Sequence, residues 1–118
     1  MDSTELGERL INFVVRIESS TKGLSKSAHG RYISNQLLRS SASSGANYQE
    51  AYGAESKADF VHKLQIVLKE LKETIYWLRL ISKLSLLPEE LLTPLLGEAQ
   101  QLTKIIGKSI VTAKKQLK

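Results

Sequence analysis

The sequence predicts an all-α protein built as an antiparallel up-down-up-down four-helix bundle, and three observations carry that prediction. Apolar residues recur at intervals of three and four in four successive segments, the pattern of helices that each bury one face. Val, Ile and Thr nowhere alternate with polar residues over the length of a strand. The only two prolines, Pro88 and Pro94, fall late, so nothing breaks the first three segments. The 118 residues read as one domain, 1–118, with enough chain for one hydrophobic core.

The first segment spans about residues 3–19. Leu6, Leu10, Phe13 and Ile17 form its stripe, with Ile11 and Val14 alongside. Ser3 is the expected N-cap. Ser19-Ser20-Thr21-Lys22-Gly23 ends the helix, with Gly23 suited to a left-handed turn.

The second segment spans about 26–52, with Ser25 or Ser27 as cap and Ile33, Leu37 and Leu38 opening an apolar face. Its middle, Arg39-Ser-Ser-Ala-Ser-Ser-Gly-Ala-Asn47, reads as a loop on propensity alone. Spacing argues otherwise. Gln36, Arg39, Ser40, Ser43, Asn47, Glu50 and Ala51 share one helical face, a regularity that a loop does not need. Small residues there also let a neighbouring helix come close. One continuous helix is therefore expected.

Gly53-Ala54-Glu55 is a short connection, and Ser56-Lys57-Ala58-Asp59 matches a capping box. The third segment, about 56–82, has the cleanest stripe: Phe60, Leu64, Val67, Leu68, Leu71, Ile75, Leu78 and Ile81. Leu84 to Thr93 holds the next connection, in which Glu89-Glu90 can form a preliminary turn. Thr93-Pro94 pairs an N-cap with a first-turn proline. The last segment, about 94–116, carries Leu95, Ala99, Leu102, Ile106, Ile110, Ala113 and Leu117.

Composition narrows the functional classes. At 42% hydrophobic and 25% charged, the chain has the makeup of a globular protein. It has no cysteine, which excludes disulfides, thiolate metal sites and a cysteine nucleophile. No apolar run approaches the ~20 residues of a membrane helix. The opening Met1-Asp2-Ser3-Thr4-Glu5 lacks the basic and apolar regions of a signal peptide, so a bacterial cytoplasmic location is expected.

The net charge of +5 is unevenly placed. Residues 1–98 carry 12 basic and 12 acidic side chains, which cancel; Lys104, Lys108, Lys114, Lys115 and Lys118 follow with no acid. These lysines either complement a helix C-terminus and keep it soluble, or form a contact surface for phosphate backbones or an acidic partner.

Segments two and three should form an antiparallel hairpin turning near residue 55. Arg39 then lies opposite residue 71, beside Glu70 and Glu73, which share a helical face. An Arg39–Glu70/Glu73 ion-pair network is expected, with Gln36, Ser43, Asn47 and Glu50 along the same polar seam. Its simplest role is to fix helix register; a buried binding or catalytic site and a solvated face are the alternatives.

Little reaction chemistry is present. Asp59-Phe-Val-His62 places a carboxylate and a histidine at i and i+3, but di-iron bundles need two such motifs and further carboxylates. Asp59 is more simply part of a cap. His29 and His62 have no relay partner, and neither a nucleophile elbow nor a phosphate loop is present. No cofactor or metal is expected. Tyr76 and Trp77 suit base stacking or, at helical spacing with Phe60 and Leu78, packing. Tyr48 and Tyr52 suit a subunit interface or the hairpin end.

Gln36-Leu-Leu-Arg39-Ser, Ser43-Ser-Gly-Ala-Asn47-Tyr-Gln-Glu50-Ala, Ser56-Lys-Ala-Asp-Phe60 and Lys69-Glu70-Leu-Lys-Glu73-Thr-Ile-Tyr-Trp77-Leu78-Arg79 resemble the four-helix-bundle proteins encoded in intervening sequences of bacterial 23S ribosomal RNA genes. The likeness covers most of the chain and is strongest over 33–81. It implies a ring-shaped homo-oligomer, typically a pentamer. It also implies kinship with accessory proteins of diversity-generating retroelements, which bind a reverse transcriptase and nucleic acid. The ribosomal label of the family reflects gene location. The leading expectation is a non-enzymatic homo-oligomeric scaffold that binds RNA, DNA or a protein handling them, with the five C-terminal lysines as phosphate contacts. The alternatives are a purely structural or protein-interaction subunit and a carboxylate metalloenzyme.

Overall fold

The computed structural model describes residues 1–117. Four helices dominate it: α1 (Ser3–Ser20), α2 (Ala28–Ala51), α3 (Lys57–Lys83) and α4 (Glu89–Lys115), with a 3-10 helix (Lys22–Lys26) between the first two. The molecule measures 49 × 21 × 21 Å, the proportions of helices roughly 40 Å long set two by two.

α1 packs on α2 and α4, and α3 packs on the same two, whereas α1 and α3 make no close approach. The helices thus stand in chain order at the corners of a square. Cross-helix pairs give their directions. Arg39 meets Glu70 and Glu73 while Glu50 meets Lys63, so numbers rise along α2 as they fall along α3. Gly7 lies beside Tyr48 and Gln49, and Gly45 beside Leu10, so α1 and α2 also run oppositely. Ser82 bonds Glu89, and Phe60 shares a concavity with Ile105 and Ser109, which sets α3 against α4 the same way.

The four stripes converge on one core. Leu10, Phe13, Ile17, Leu37, Val67, Leu71, Ile81, Leu102 and Ile106 are fully buried. Each such side chain contributes about 1.5–3 kcal/mol of hydrophobic stabilisation. Ile11, expected beside the first stripe, is exposed instead.

The serine-rich middle of α2 is helical throughout. Ser40, Ser41 and Ser44 are fully buried, and their hydroxyls bond backbone carbonyls of their own helix, at Leu37, Leu38 and Ser41. Propensity disfavours the run. Small side chains that satisfy themselves locally, however, let α1 and α3 pack closely on α2, and packing outweighs propensity.

Several boundaries differ from the sequence reading. The N-cap of α1 is Asp2, whose carboxylate accepts from the Glu5 N–H at 2.9 Å; a charged acceptor at the positive helix end outcompetes the hydroxyl of Ser3. Gly23 makes no left-handed turn, because it lies within the 3-10 helix and no glycine has positive φ. α1 ends instead at Thr21, whose N–H and hydroxyl both donate to the Ile17 carbonyl; a left-handed residue closes α3, where the N–H of Ser85 (φ 55°) donates to Ser82 and the Leu86 N–H to Ile81 in a Schellman motif.

α4 starts at Glu89, not at residue 94. Pro88 takes the cap position, Glu89 and Glu90 sit in the first turn, and Pro94 lies inside the helix. Buried Leu92 and Leu95 flank it and hold the turn despite the hydrogen bond it forfeits. At the other end the helix stops at Lys115, and Leu117 is exposed rather than part of the stripe. Gly97 and Gly107 lie in α4 with open space where a Cβ would stand.

Candidate functional site

The α2–α3 seam is anchored by Arg39. Its guanidinium donates to Glu70 at 3.3 Å, to Glu73, and through Nε to Gln36 Oε1 at 3.1 Å. Glu70 is buried, and its other carboxylate oxygen faces Lys69 Nζ at 3.8 Å. Glu73 also accepts from Trp77 Nε1 at 3.0 Å. Two cations thus face two carboxylates, which removes most of the cost of burying Glu70.

Further along, Asn47 donates to the Ser43 carbonyl and hydroxyl at 2.9 and 3.1 Å, within α2 rather than across to α3. Glu50 pairs with Lys63 at 3.1 Å in an exposed position.

Sequence reasoning missed the deepest polar link. Ser40 Oγ and Thr74 Oγ1 lie 2.8 Å apart with no exposure, and Thr74 donates to the Glu70 carbonyl at 2.9 Å. The signal was present: Val67, Glu70, Thr74, Leu78 and Ile81 keep helical spacing, which puts Thr74 on the buried face. Also missed was Arg9, which donates from Nε and NH2 to both oxygens of Glu98 at 2.7 Å and to Gln101 at 2.6 Å. This fork holds α1 to α4. The Arg9 hydrogen bonds hold the Glu98 carboxyl below its ordinary 4.5, against the opposing effect of burial. A pairing between residues so far apart in sequence has no local signature.

The aromatic residues close the ends of the hairpin. Tyr48 is buried, its hydroxyl 3.1 Å from that of Tyr52, and burial first, then this bond, pushes its pKa well above the usual tyrosine range. Tyr52 meets the Phe60 ring edge-on at 5.5 Å. At the other end Trp77 makes edge contacts with Tyr32 at 6.0 Å and Tyr76 at 4.9 Å.

His29 and His62 are exposed, and Asp59 stands in the first turn of α3 with its N–H donating to Ser56 Oγ at 3.0 Å. Among the described residues, no group of three or more His, Asp or Glu side chains gathers to hold a metal, and no helix is long and apolar enough to cross a membrane. A concavity of about 300 Å³ between α3 and α4 is lined by Leu78, Arg79 and Leu92 among others; in it Ser82 donates to Glu89 at 2.6 Å, with no histidine beside them.

Lys104, Lys108, Lys114 and Lys115 are all exposed on α4, and Lys118 lies outside the described residues. At roughly 100° per residue, Lys104, Lys108 and Lys115 fall within about 40° of one another, with Lys114 about 80° to one side of Lys104. Lys104 and Lys108 edge a shallow depression with Gly107, Val111 and Thr112. None of the four makes an ion pair among the described residues.

Comparison with known proteins places this arrangement. No curated protein matches the sequence. The crystal structure of a protein of unknown function from the S23 ribosomal protein family of Bacteroides thetaiotaomicron is similar, with a TM-score of 0.85 and 34% identity over 93% of this chain and 98% of that one. The family model for 23S rRNA-intervening sequence proteins matches residues 4–108, which takes in all of the seam and most of α4. The chain is a member of the 23S rRNA-intervening sequence protein family.

Proposed function

We propose that this protein is a non-enzymatic helical scaffold that assembles with copies of itself and binds nucleic acid, or a protein that handles it, through the lysine face of α4. The observation that carries the reading is the segregation of charge. The entire net excess of +5 lies after residue 98, and the four described lysines there project from one side of one helix without acidic partners. Repeated around a homo-oligomer, pentameric as the family resemblance implies, that face would multiply individually weak phosphate contacts.

Binding to a mixed set of RNA and DNA, titrated with salt, tests the reading. Affinity should fall linearly with salt on logarithmic axes. Replacing Lys104, Lys108, Lys114 and Lys115 with Gln should reduce that slope by up to about four for each copy in contact, about one for each phosphate that a lysine no longer neutralises. No binding at low ionic strength would remove the nucleic-acid half.

A second reading, a protein-interaction subunit without nucleic acid, draws on exposed Ile11 and Val15, 46% and 59% accessible on the outer side of α1. Under it the four lysine replacements leave partner binding unchanged.

A further inference from the structure

The outer faces of α1 and α3 carry matching features that neither uses within one molecule. On α1, Glu8, Ile11, Val15 and Glu18 are all exposed and fall within an arc of roughly 80°, two aliphatic side chains bracketed by two carboxylates. Arg16 lies to the α4 side of this ridge, where its charge acts on Glu98. On α3, Lys72, Ile75, Tyr76, Arg79, Leu80 and Lys83 line a groove of about 370 Å³. Ile75 and Leu80 are half-buried, while Tyr76 is 58% exposed.

The charges are unspent on both sides. Ion pairs among the described residues involve Arg9, Arg39, Lys63 and Lys69 on the basic side and Glu50, Glu70, Glu73 and Glu98 on the acidic side. Lys72, Arg79 and Lys83 take part in none of these, nor do Glu8 and Glu18. The dimensions agree as well. Glu8 and Glu18 are separated by roughly 15 Å along their helix, and Lys72 and Lys83 by roughly 16 Å, at ~1.5 Å per residue.

We infer that the α1 ridge of one copy docks into the α3 groove of the next. Ile11 and Val15 enter against Ile75, Tyr76 and Leu80, and the flanking carboxylates meet the basic residues at the groove ends. The inference rests on the homo-oligomer half of the proposed function and supplies its interface. α1 and α3 occupy opposite corners of the square, so a molecule cannot satisfy its own groove, and a two-fold dimer cannot bring both ridge–groove pairs together at once. The contact is therefore head-to-tail, the kind that closes into a ring when the rotation between copies permits and otherwise extends a filament.

Charge reversal combined with mass measurement in solution tests it. The unmodified chain should be oligomeric. Glu8→Lys with Glu18→Lys, and separately Lys72→Glu with Lys83→Glu, should each reduce the mass to that of a single chain while leaving the helical circular dichroism unchanged. Each variant has a ridge and a groove of like charge, yet complements the other. All four substitutions in one chain, which reverse both sides of every contact, should restore assembly; this rescue also excludes misfolding as the cause of dissociation. A monomeric unmodified chain overturns both the inference and the homo-oligomer reading. An oligomer indifferent to both double substitutions, or dissociation without rescue, overturns the interface alone. If Lys72→Glu with Lys83→Glu weakens binding to single-stranded RNA while the oligomer persists, the groove is a nucleic-acid site and the interface is likewise overturned.

Discussion

At the residue scale, the tightest constraint is Gly30. A Cβ at this position would stand 1.9 Å from the Leu24 carbonyl oxygen and 2.8 Å from its carbon, both backbone atoms of the 3-10 helix folded onto the start of α2. Neither can move without shifting that connection. Gly30→Ala should therefore cost about 2 kcal/mol or more, read as a lower midpoint in chemical denaturation, despite the better helix propensity of alanine. Gly7 makes the contrast: the nearest atom to its missing Cβ, at 2.7 Å, is the tip of the Gln49 side chain, which can swing away. Nothing in the sequence around Gly30 announces the clash, since it depends on how the connection folds back. Arg39 is the opposite case. Its partners follow from the hairpin register alone, because counting outward from residue 55 sets it between Glu70 and Glu73.

At the element scale, the helices were legible wherever one face repeats and less so where chain ends compete. α2 could be read through its serine run because Gln36, Ser40, Ser43 and Asn47 keep helical intervals whatever their propensities. The start of α4 could not, because Thr93-Pro94 is a better local start signal than Pro88-Glu89. The earlier start wins through burial of Leu92, a contact made with other helices. The same reasoning separates the caps. Asp2 and Ser3 are both competent acceptors, and a choice between neighbours depends on backbone angles, which sequence does not display. Thr74 was passed over for Ile75 because hydrophobicity guided the stripe. Geometry instead buries the hydroxyl against Ser40 and leaves the isoleucine partly outside.

At the scale of the whole molecule, α1 packs less extensively on its neighbours than any other helix, and the Arg9–Glu98 fork ties it to the last element of the chain. Glu98 is held below its ordinary 4.5 in the folded state, so between its folded and unfolded pKa values the unfolded chain binds more protons. The stability this group adds is fully present above about pH 5 and disappears as pH falls through the folded value. Glu98→Gln should lower stability at pH 7 by about 1–2 kcal/mol and flatten the acid side of the stability curve, measured by urea unfolding from pH 3 to 7. The four-helix arrangement itself was legible from apolar periodicity and short connections. The pairing that ties its first helix to its last was not, since no pattern joins positions 9 and 98 before the chain is folded.

The two glycines of α4 bear on time as well as shape. Gly97 and Gly107 each cost roughly 1 kcal/mol against alanine in a helix interior, and Pro94 removes a further hydrogen bond. α3, equally long, contains neither residue type. The backbone of α4 should therefore open transiently far more often than that of α3. Amide deuterium uptake followed by mass spectrometry should show peptides from 94–110 exchanging ahead of those from 61–80 by a factor of ten or so, on the order expected for a 1–2 kcal/mol difference in opening free energy. Equal rates would mean that packing alone sets the rhythm. Faster exchange in 94–110 would mean that the helix presenting the lysines loosens and re-forms more often than α3.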